Sequence, residues 1–563
     1  MENLEYLKLF DEDANKWRPV WSQFYDEGVK ANYEYSRQPL KWWFNKWAEE
    51  TPAAPYLLLG DVVLPYAYCN DVSRRLANAL LGIGIQKGDR VGVMAPNVPQ
   101  YVLAMNALLK IGVIEVPGNV LYTVPELTYQ FNDSGAETII VMAAFAAKAF
   151  AMQKDPTCCV KRVIVFQLPG PPVPVEEGEE IYDMDTLVKS ADVAEPDVEV
   201  TADDVMRLQY TGGTTGVPKG CVITNYMAHT QALRMAIGAT LNYKLIPRDE
   251  LRVLGAIPIS HVYGWNLTAN LCYYTGGSIV LIPQPTPDAL LQGVVQHRPT
   301  LFVAVPAMVI GLVNHPKIKD GTADMSCLKL IMCGSAPLPV SVAREFNRLT
   351  GGGIVEGYGL SESTNIATAC PLSRGKEGSC GTPWPDTDII IVDAETGTKP
   401  MPGGEAGELI MRGPQMITEY WENPEETKMA IRNGWLYTGD IAKFDEEGYL
   451  FILDRKKDII IVSGFNVFPR EIDEFMFAHP KVKEACAIGL PHPEKGEYIK
   501  LFVSLKEGEE MTSDEVRAYC REGLAPYKVP SEVVFVSELP RTDVGKADRK
   551  ALRQKELEKA GAV

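Results

Sequence analysis

Leu208-Gln-Tyr-Thr-Gly-Gly-Thr-Thr-Gly-Val-Pro-Lys-Gly220 packs four glycines, three threonines and one lysine into thirteen residues. Gly212, Gly213, Gly216 and Gly220 let the backbone take positive φ and come close to a ligand. Thr211, Thr214 and Thr215 offer hydroxyls. Successive N–H groups in such a turn form an anion-binding nest, and Lys219 adds a mobile positive charge, so the stretch is built to cradle phosphate. It is not the Walker loop, whose lysine follows a glycine and precedes Ser or Thr; Lys219 stands between Pro218 and Gly220. Read alone, it also fits a ligand-free surface loop.

Working outward, apolar runs alternate in period. Ser73 to Leu81 reads as an amphipathic helix, Gly88 to Met94 as a short buried strand, Val102 to Ile111 as a helix and Val113 to Pro117 as a strand. Ala136 to Val141 and Val160 to Phe166 continue the series. Strands alternating with helices imply βαβ units and a parallel sheet, hence an α/β fold. Pro169 to Pro174 and the acidic run Glu176 to Glu180 read as a solvated connector. The first fifty residues carry Trp17, Trp21, Phe24, Tyr25, Tyr33, Tyr35, Trp42, Trp43, Phe44 and Trp47 at irregular spacing, as in a segment anchored across a domain by large rings.

Bulk properties bound the function. A chain of 563 residues exceeds what one core serves, so two or more domains are expected. The net charge is −18, carried almost wholly before Asp454: residues 454–563 hold 19 basic against 20 acidic side chains, leaving 36 against 53 for residues 1–453. This acidity argues against nucleic acid as a partner, since binding it usually needs a basic patch, and any anionic substrate needs local positive charge. Eleven cysteines without C-x-x-C spacing suit free thiols in a reducing compartment, with the cytoplasm expected. No apolar run reaches the ~18 residues of a membrane span.

Further motifs follow in order. Leu254-Gly-Ala-Ile-Pro-Ile-Ser-His-Val-Tyr-Gly-Trp265 reads as an apolar strand ending in His261. Leu328 to Pro337 is a strand and a small-residue turn, where Gly334, Ser335 and Ala336 leave room for a flat ring. Ile354-Val-Glu-Gly-Tyr-Gly-Leu-Ser-Glu-Ser363 holds Glu356, Gly357, Tyr358, Gly359, Ser361 and Glu362. Trp435-Leu-Tyr-Thr-Gly-Asp440 sets a carboxylate after a tight turn. Asp454-Arg-Lys-Lys-Asp458 ends another strand, and Leu539 to Lys550 carries Lys546 beside Gly545.

Six of these motifs, from Thr211 to Lys546, resemble in order the signatures of the AMP-forming adenylate ligases, the group of acyl-CoA synthetases, peptide-synthetase adenylation domains and luciferases. The resemblance covers nearly the whole chain from Leu64 to Leu552. It implies a large N-terminal domain of stacked βα sheets, residues 1–453, and a smaller mobile α+β domain, residues 454–563, pivoting near Lys457. It also implies ATP, Mg²⁺ and coenzyme A as partners of a small carboxylic acid. In that scheme Thr211 to Lys219 holds pyrophosphate, Gly334, Ser335, Ala336 and Tyr358 pack on adenine, and Ser361 reaches the α-phosphate. Glu362, with Thr211, holds the metal; Asp440 and Arg455 take the ribose and phosphate. Gly464 and Phe465 line the pantetheine path, and Lys546 is the catalytic lysine.

His261 maps to the wall between acyl group and nucleotide, and Tyr263, Gly264, Trp265, Val305 and Ile366 to the acyl pocket. Trp265 fits either a gate to an acyl tunnel or a core tryptophan. The Asp that pairs with an amino-acid substrate's ammonium is missing near His261, and no carrier domain follows Lys546 in this sequence. The expected activity is therefore a free-standing, AMP-forming acid:CoA ligase for a hydrophobic acid, a medium- or long-chain fatty acid or an aromatic or alicyclic one. A homodimer is allowed. Two other classes remain at this point: a fatty-acid- or nucleotide-binding or transport protein that has lost the chemistry, and a luciferase-like oxygenase.

Overall fold

The computed structural model describes residues 5–170, 173, 178–211, 218–237, 246–334, 338–462, 465–492, 496–541 and 547–559. The chain divides into two compact units. The larger comprises Trp21–Asp388 and Arg412–Leu436; the smaller comprises Met1–Val20, Ile389–Met411 and Tyr437–Val563.

Two sheets build the larger unit. One has seven strands in the order Ile181–Asp183, Arg162–Phe166, Thr138–Met142, Arg90–Met94, Ile114–Pro117, Val205–Thr211 and Lys219–Thr224. All neighbours in it are parallel except the last pair, an antiparallel hairpin that registers Thr211 opposite Lys219. The other has nine strands in the order Thr382–Pro383, Asn365–Ala369, Gly353–Leu360, Leu330–Cys333, Leu301–Ala304, Arg252–Gly255, Ser278–Leu281, Pro55–Leu59 and Val62–Pro65. Its inner strands are parallel, and antiparallel pairs close both ends.

The crossover helices carry identifiable signals. Val124–Ser134 starts on a capping box between Thr123 and Glu126 and stops at Gly135, left-handed at φ 65°. Pro99–Ile111 is mostly apolar and buried nearly all round, and its one buried charge, Lys110, pairs with Glu195. It lies in one core with Val91 and Val93 of the seven-stranded sheet and Val253, Ile279 and Leu301 of the nine-stranded one. The N-terminal rings do anchor: Trp47 Nε1 donates to the Tyr273 carbonyl at 2.9 Å, and the Tyr25 and Tyr35 hydroxyls donate to Pro383 O and Asp386 Oδ2, both at 2.6 Å.

A sheet lying mostly in the smaller unit pairs Trp435–Phe444 with Leu450–Arg455 antiparallel and continues through Gly407–Arg412 to Asp388–Val392. A second sheet combines Val482–His492, Gly496–Leu505, Ile460–Val462, Phe465–Val467 and Glu532–Phe535 with helices Pro469–Phe477, Ser513–Gly523 and Arg549–Lys559. Among the described residues no helix is long and apolar enough to cross a membrane.

Two local expectations are corrected. The strand before His261 ends at Gly255, not at His261: Pro258 interrupts pairing, and His261 is the N-cap of a short helix Val262–Trp265. Asp440 does not follow a tight turn but lies inside the strand Trp435–Phe444, six residues past Gly434, whose φ of 81° makes the turn.

Candidate active site

In a parallel sheet, ligands bind beyond the carboxyl ends of the strands. The nine-stranded sheet aligns those ends in register, Gly255 beside Val303, Ala304 beside Cys333 and Cys333 beside Glu356. Val305, Gly334 and the Tyr358 strand therefore emerge side by side. Tyr263 fixes this edge from beneath, its hydroxyl 3.0 Å from Ala304 O and 2.7 Å from Met332 O. A side chain at Gly334 would meet the Tyr263 ring at 3.2 Å, so the turn rests on that ring. Ser335 and Ala336 lie outside the described residues.

Tyr358 sits on Gly353–Leu360, opposite Thr368 of the returning strand. The glycines flanking it are required by close approach: a Cβ at Gly357 would lie 2.6 Å from Thr368 O, and one at Gly359 only 1.7 Å from Asn365 O. Glu356 accepts from Leu338 N–H at 3.1 Å. The turn carrying Ser361 and Glu362 passes through left-handed Thr364 (φ 50°) and Asn365 (φ 107°), conformations that non-glycine residues hold only when the surroundings enforce them. Here they are enforced. Thr364 Oγ1 donates to Gln415 O at 2.7 Å, Asn266 Nδ2 donates to Thr364 O at 2.8 Å, and Gln231 Nε2 donates to Ile366 O at 2.7 Å.

Glu362 is joined to the hairpin of Val205–Thr211 and Lys219–Thr224 by a residue that the sequence reading missed. The Tyr420 hydroxyl donates to Glu362 Oε1 at 2.8 Å, while the Lys219 ammonium lies 5.4 Å from the Tyr420 ring and pairs with Glu426. Main-chain bonds Trp421 N to Gly220 O, 2.8 Å, and Ile417 N to Glu362 O, 2.9 Å, fix the same segment between hairpin and turn. Burial and the Glu362 charge push the Tyr420 phenol up, so it stays a donor. The one sequence signal for this segment is Asn423-Pro-Glu-Glu426, a helix start: Asn423 caps Pro424–Ala430. Thr211 faces Lys219 across the hairpin; Gly212, Gly213, Thr214 and Thr215 lie outside the described residues. No group of three or more His, Cys, Asp or Glu side chains that could hold a metal occurs among the described residues. A cation at Glu362 would thus need oxygens from its ligand, as a hard cation on a nucleotide has.

The acyl-pocket candidates are packed tightly. Trp265 is fully buried beneath the Arg207 guanidinium, 4.7 Å from its ring. A Cβ on Gly264 would lie 2.2 Å from Pro258 O, so only glycine lets the short helix close on that loop. His261 Nδ1 accepts from Tyr263 N–H at 3.1 Å. Ile366 is buried opposite Gly359, and Val305 caps Pro306–Val313.

In the smaller unit, Asp440 and Arg455 are cross-strand partners with Nε and Oδ1 3.5 Å apart. Asp440 is nearly buried and its N–H donates to Thr438 Oγ1 at 3.1 Å. Lys457 stands in the turn after this strand, and burial lowers its ammonium pKa against the pull of Asp458. Phe465 is 53% exposed and stacks on Tyr527 at 4.5 Å; Gly464 lies outside the described residues, as does Lys546. Both flanks of the Lys546 segment are anchored: Arg541 holds both Glu484 oxygens at 2.6 Å, and Arg549 pairs with Asp473 and donates to Ala487 O at 2.8 Å.

The model of the AMP-binding enzyme family matches residues 44–421, and that of the AMP-binding enzyme C-terminal domain matches residues 471–546. A long-chain-fatty-acid–CoA ligase of Bacillus subtilis (strain 168) is 39% identical over 507 residues, 86% of this chain and 88% of its own. A feruloyl-CoA synthase of Amycolatopsis sp is 33% identical, covering 92% and 99%. The crystal structure of ATP-bound MatB from Rhodopseudomonas palustris superposes with a TM-score of 0.80 at 28% identity, covering 92% and 99%.

Proposed function

Because the chain belongs to the AMP-binding enzyme family and is an AMP-forming acyl-CoA synthetase, we propose that the acid it joins to coenzyme A is hydrophobic, a medium- or long-chain fatty acid. The observation that supports this reading is the apolar character of the set Gly264, Trp265, Val305 and Ile366, of which Trp265 and Ile366 are buried. The likeness to a long-chain-fatty-acid–CoA ligase supports it. A compact aromatic acid is the second reading, favoured by the likeness to a feruloyl-CoA synthase.

The reaction has two halves. The acid's carboxylate attacks the α-phosphate of ATP, giving an acyl adenylate and pyrophosphate; the thiol of coenzyme A then attacks the acyl carbonyl and AMP leaves. Two anions must meet in the first half, so positioning and charge neutralisation do the catalytic work. Lys546 bridges carboxylate and phosphate, and the Thr211 to Lys219 loop receives pyrophosphate, for which Lys219 exchanges its Glu426 partner. Tyr358 stacks on adenine against the Gly334 to Ala336 turn, with Glu356, Gly357 and Gly359 shaping that strand; Ser361 reaches the α-phosphate, and Asp440 with Arg455 takes the ribose. Mg²⁺, when bound, would sit on Glu362 with Thr211 near the triphosphate and offset its charge. His261 forms the wall between acid and nucleotide. For the second half, the segment from Asp454 onward turns about Lys457 and brings Gly464 and Phe465 to the pantetheine arm. Eleven free cysteines support a reducing, cytoplasmic setting.

The test is coenzyme-A-dependent AMP release from ATP and Mg²⁺ over straight-chain, aromatic and alicyclic acids, with Lys546→Ala alongside. Turnover of C8 to C18 acids, slowed in the variant by about 10² to 10³ at adenylation, is expected. Turnover confined to aromatic acids selects the second reading, and no pyrophosphate with any acid overturns both.

A further inference from the structure

In the middle of a parallel sheet, where strands are normally apolar on both faces, this chain buries an ion pair. Arg207 of Val205–Thr211 and Glu115 of Ile114–Pro117 are register neighbours, with side chains 0% and 2% exposed and Nη1 2.8 Å from Oε2. The Tyr101 hydroxyl donates to the other Glu115 oxygen at 2.8 Å. Such a pair contributes little stability beyond what well-packed apolar side chains of similar volume would, so its presence calls for another reason.

The other contacts of Arg207 supply one. The segment Ala256 to Ser260 belongs to neither helix nor strand, and its backbone polar groups need partners from elsewhere. Asn97 Nδ2 donates to Gly255 O and Ile257 O at 2.9 and 2.8 Å, and Asn97 Oδ1 accepts from Ile259 N–H at 2.8 Å. Arg207 Nη2 donates to Ile259 O and Ser260 O at 2.9 and 3.1 Å, and Gln209, held by Arg207 Nε at 2.9 Å, donates to Ser260 O at 3.2 Å. The same guanidinium covers the Trp265 indole. One planar fork thus fixes both ends of the His261 to Trp265 helix: the carbonyls that lead into it and the ring that closes it.

We propose that Arg207, oriented by Glu115, is a positioning residue that sets the acid-facing wall and so tunes which acids fit. The inference rests on the reading of His261 to Trp265 as that wall. Two variants test it. Glu115→Leu with Arg207→Leu removes the pair without stranding a charge; Arg207→Lys keeps the charge opposite Glu115 and loses the fork that reaches two carbonyls. In each, the KM for the preferred acid is expected to rise about tenfold, the worth of one charge-assisted hydrogen bond. The preference among C6 to C18 acids flattens, and the KM for ATP stays unchanged. A merely structural pair would move no acid parameter selectively. Wild-type turnover with an unchanged acid KM and chain-length profile in Arg207→Lys, or in the double variant where it folds, overturns this inference alone. Absence of turnover by the wild type with any acid overturns the parent reading and this inference with it.

Discussion

Tyr420→Phe isolates the link between the phosphate-loop hairpin and the proposed metal carboxylate. The substitution deletes one hydroxyl, which donates to Glu362 Oε1 at 2.8 Å and is the one protein donor to that carboxylate among the described residues. It leaves a ring of the same size beside Lys219. A hydrogen bond to a charged group is worth about 1.5–3 kcal/mol, and loss of a partner that orients a metal ligand lowers affinity by about 10- to 100-fold. Competition acts in the same direction: the freed carboxylate is open to the Lys219 ammonium, 5.4 Å from the Tyr420 ring. The assay is initial pyrophosphate release against Mg²⁺ concentration at saturating ATP and acid. The half-saturating Mg²⁺ concentration should rise about tenfold or more, with the maximal rate largely recovered at high Mg²⁺. An unchanged midpoint would refute the assignment of Glu362 as the metal carboxylate oriented by Tyr420. A fall in maximal rate at every Mg²⁺ concentration would instead place the hydroxyl's role in the chemical step.

Stability offers sharper contrasts. Arg207→Leu alone strands the Glu115 carboxylate in the sheet and should cost about 3–5 kcal/mol, while the double variant with Glu115→Leu strands no charge, only the Tyr101 hydroxyl and the Ile259 carbonyl, and should recover part of that loss; thermal denaturation of the set decides. Gly359→Ala sets a methyl 1.7 Å from Asn365 O, a backbone atom that cannot swing away. It should therefore destabilise by at least the ~1–3 kcal/mol of overpacking and depress adenylation through Tyr358 and Glu362. His229 is buried against Trp43, ring centroids 5.2 Å apart, and burial lowers its pKa from 6.5 to about 4. The folded state therefore binds fewer protons than the unfolded one. Its contribution is whole above pH 6.5 and is lost as pH falls towards 4, about 3 kcal/mol in all. Unfolding midpoints measured from pH 4 to 7 should fall less steeply in His229→Gln than in wild type, and parallel curves would show that the imidazole is not the titrating group.

The α/β class was legible in the alternation of β-branched runs with helical stretches, because burial of a parallel strand or an amphipathic helix leaves a period in the chain itself. The windows proposed for phosphate, adenine and metal, and ribose could be picked out of the sequence for a different reason: each draws its glycines, hydroxyls and carboxylates from close sequence spacing, so one local window holds the whole proposed chemical unit. Even there local reading erred where the backbone left its regular state. Pro258 ended the strand early and turned His261 into a helix cap, and the pairing of Trp435–Phe444 absorbed Asp440 into a strand. What tertiary structure alone decided are contacts between residues far apart in the chain. Tyr420 meets Glu362 across 58 positions, and Arg207 meets Glu115 across 92 and Ser260 across 53. A sequence records the residue types of such partners but no spacing between them, since folding, not chain connectivity, brings them together.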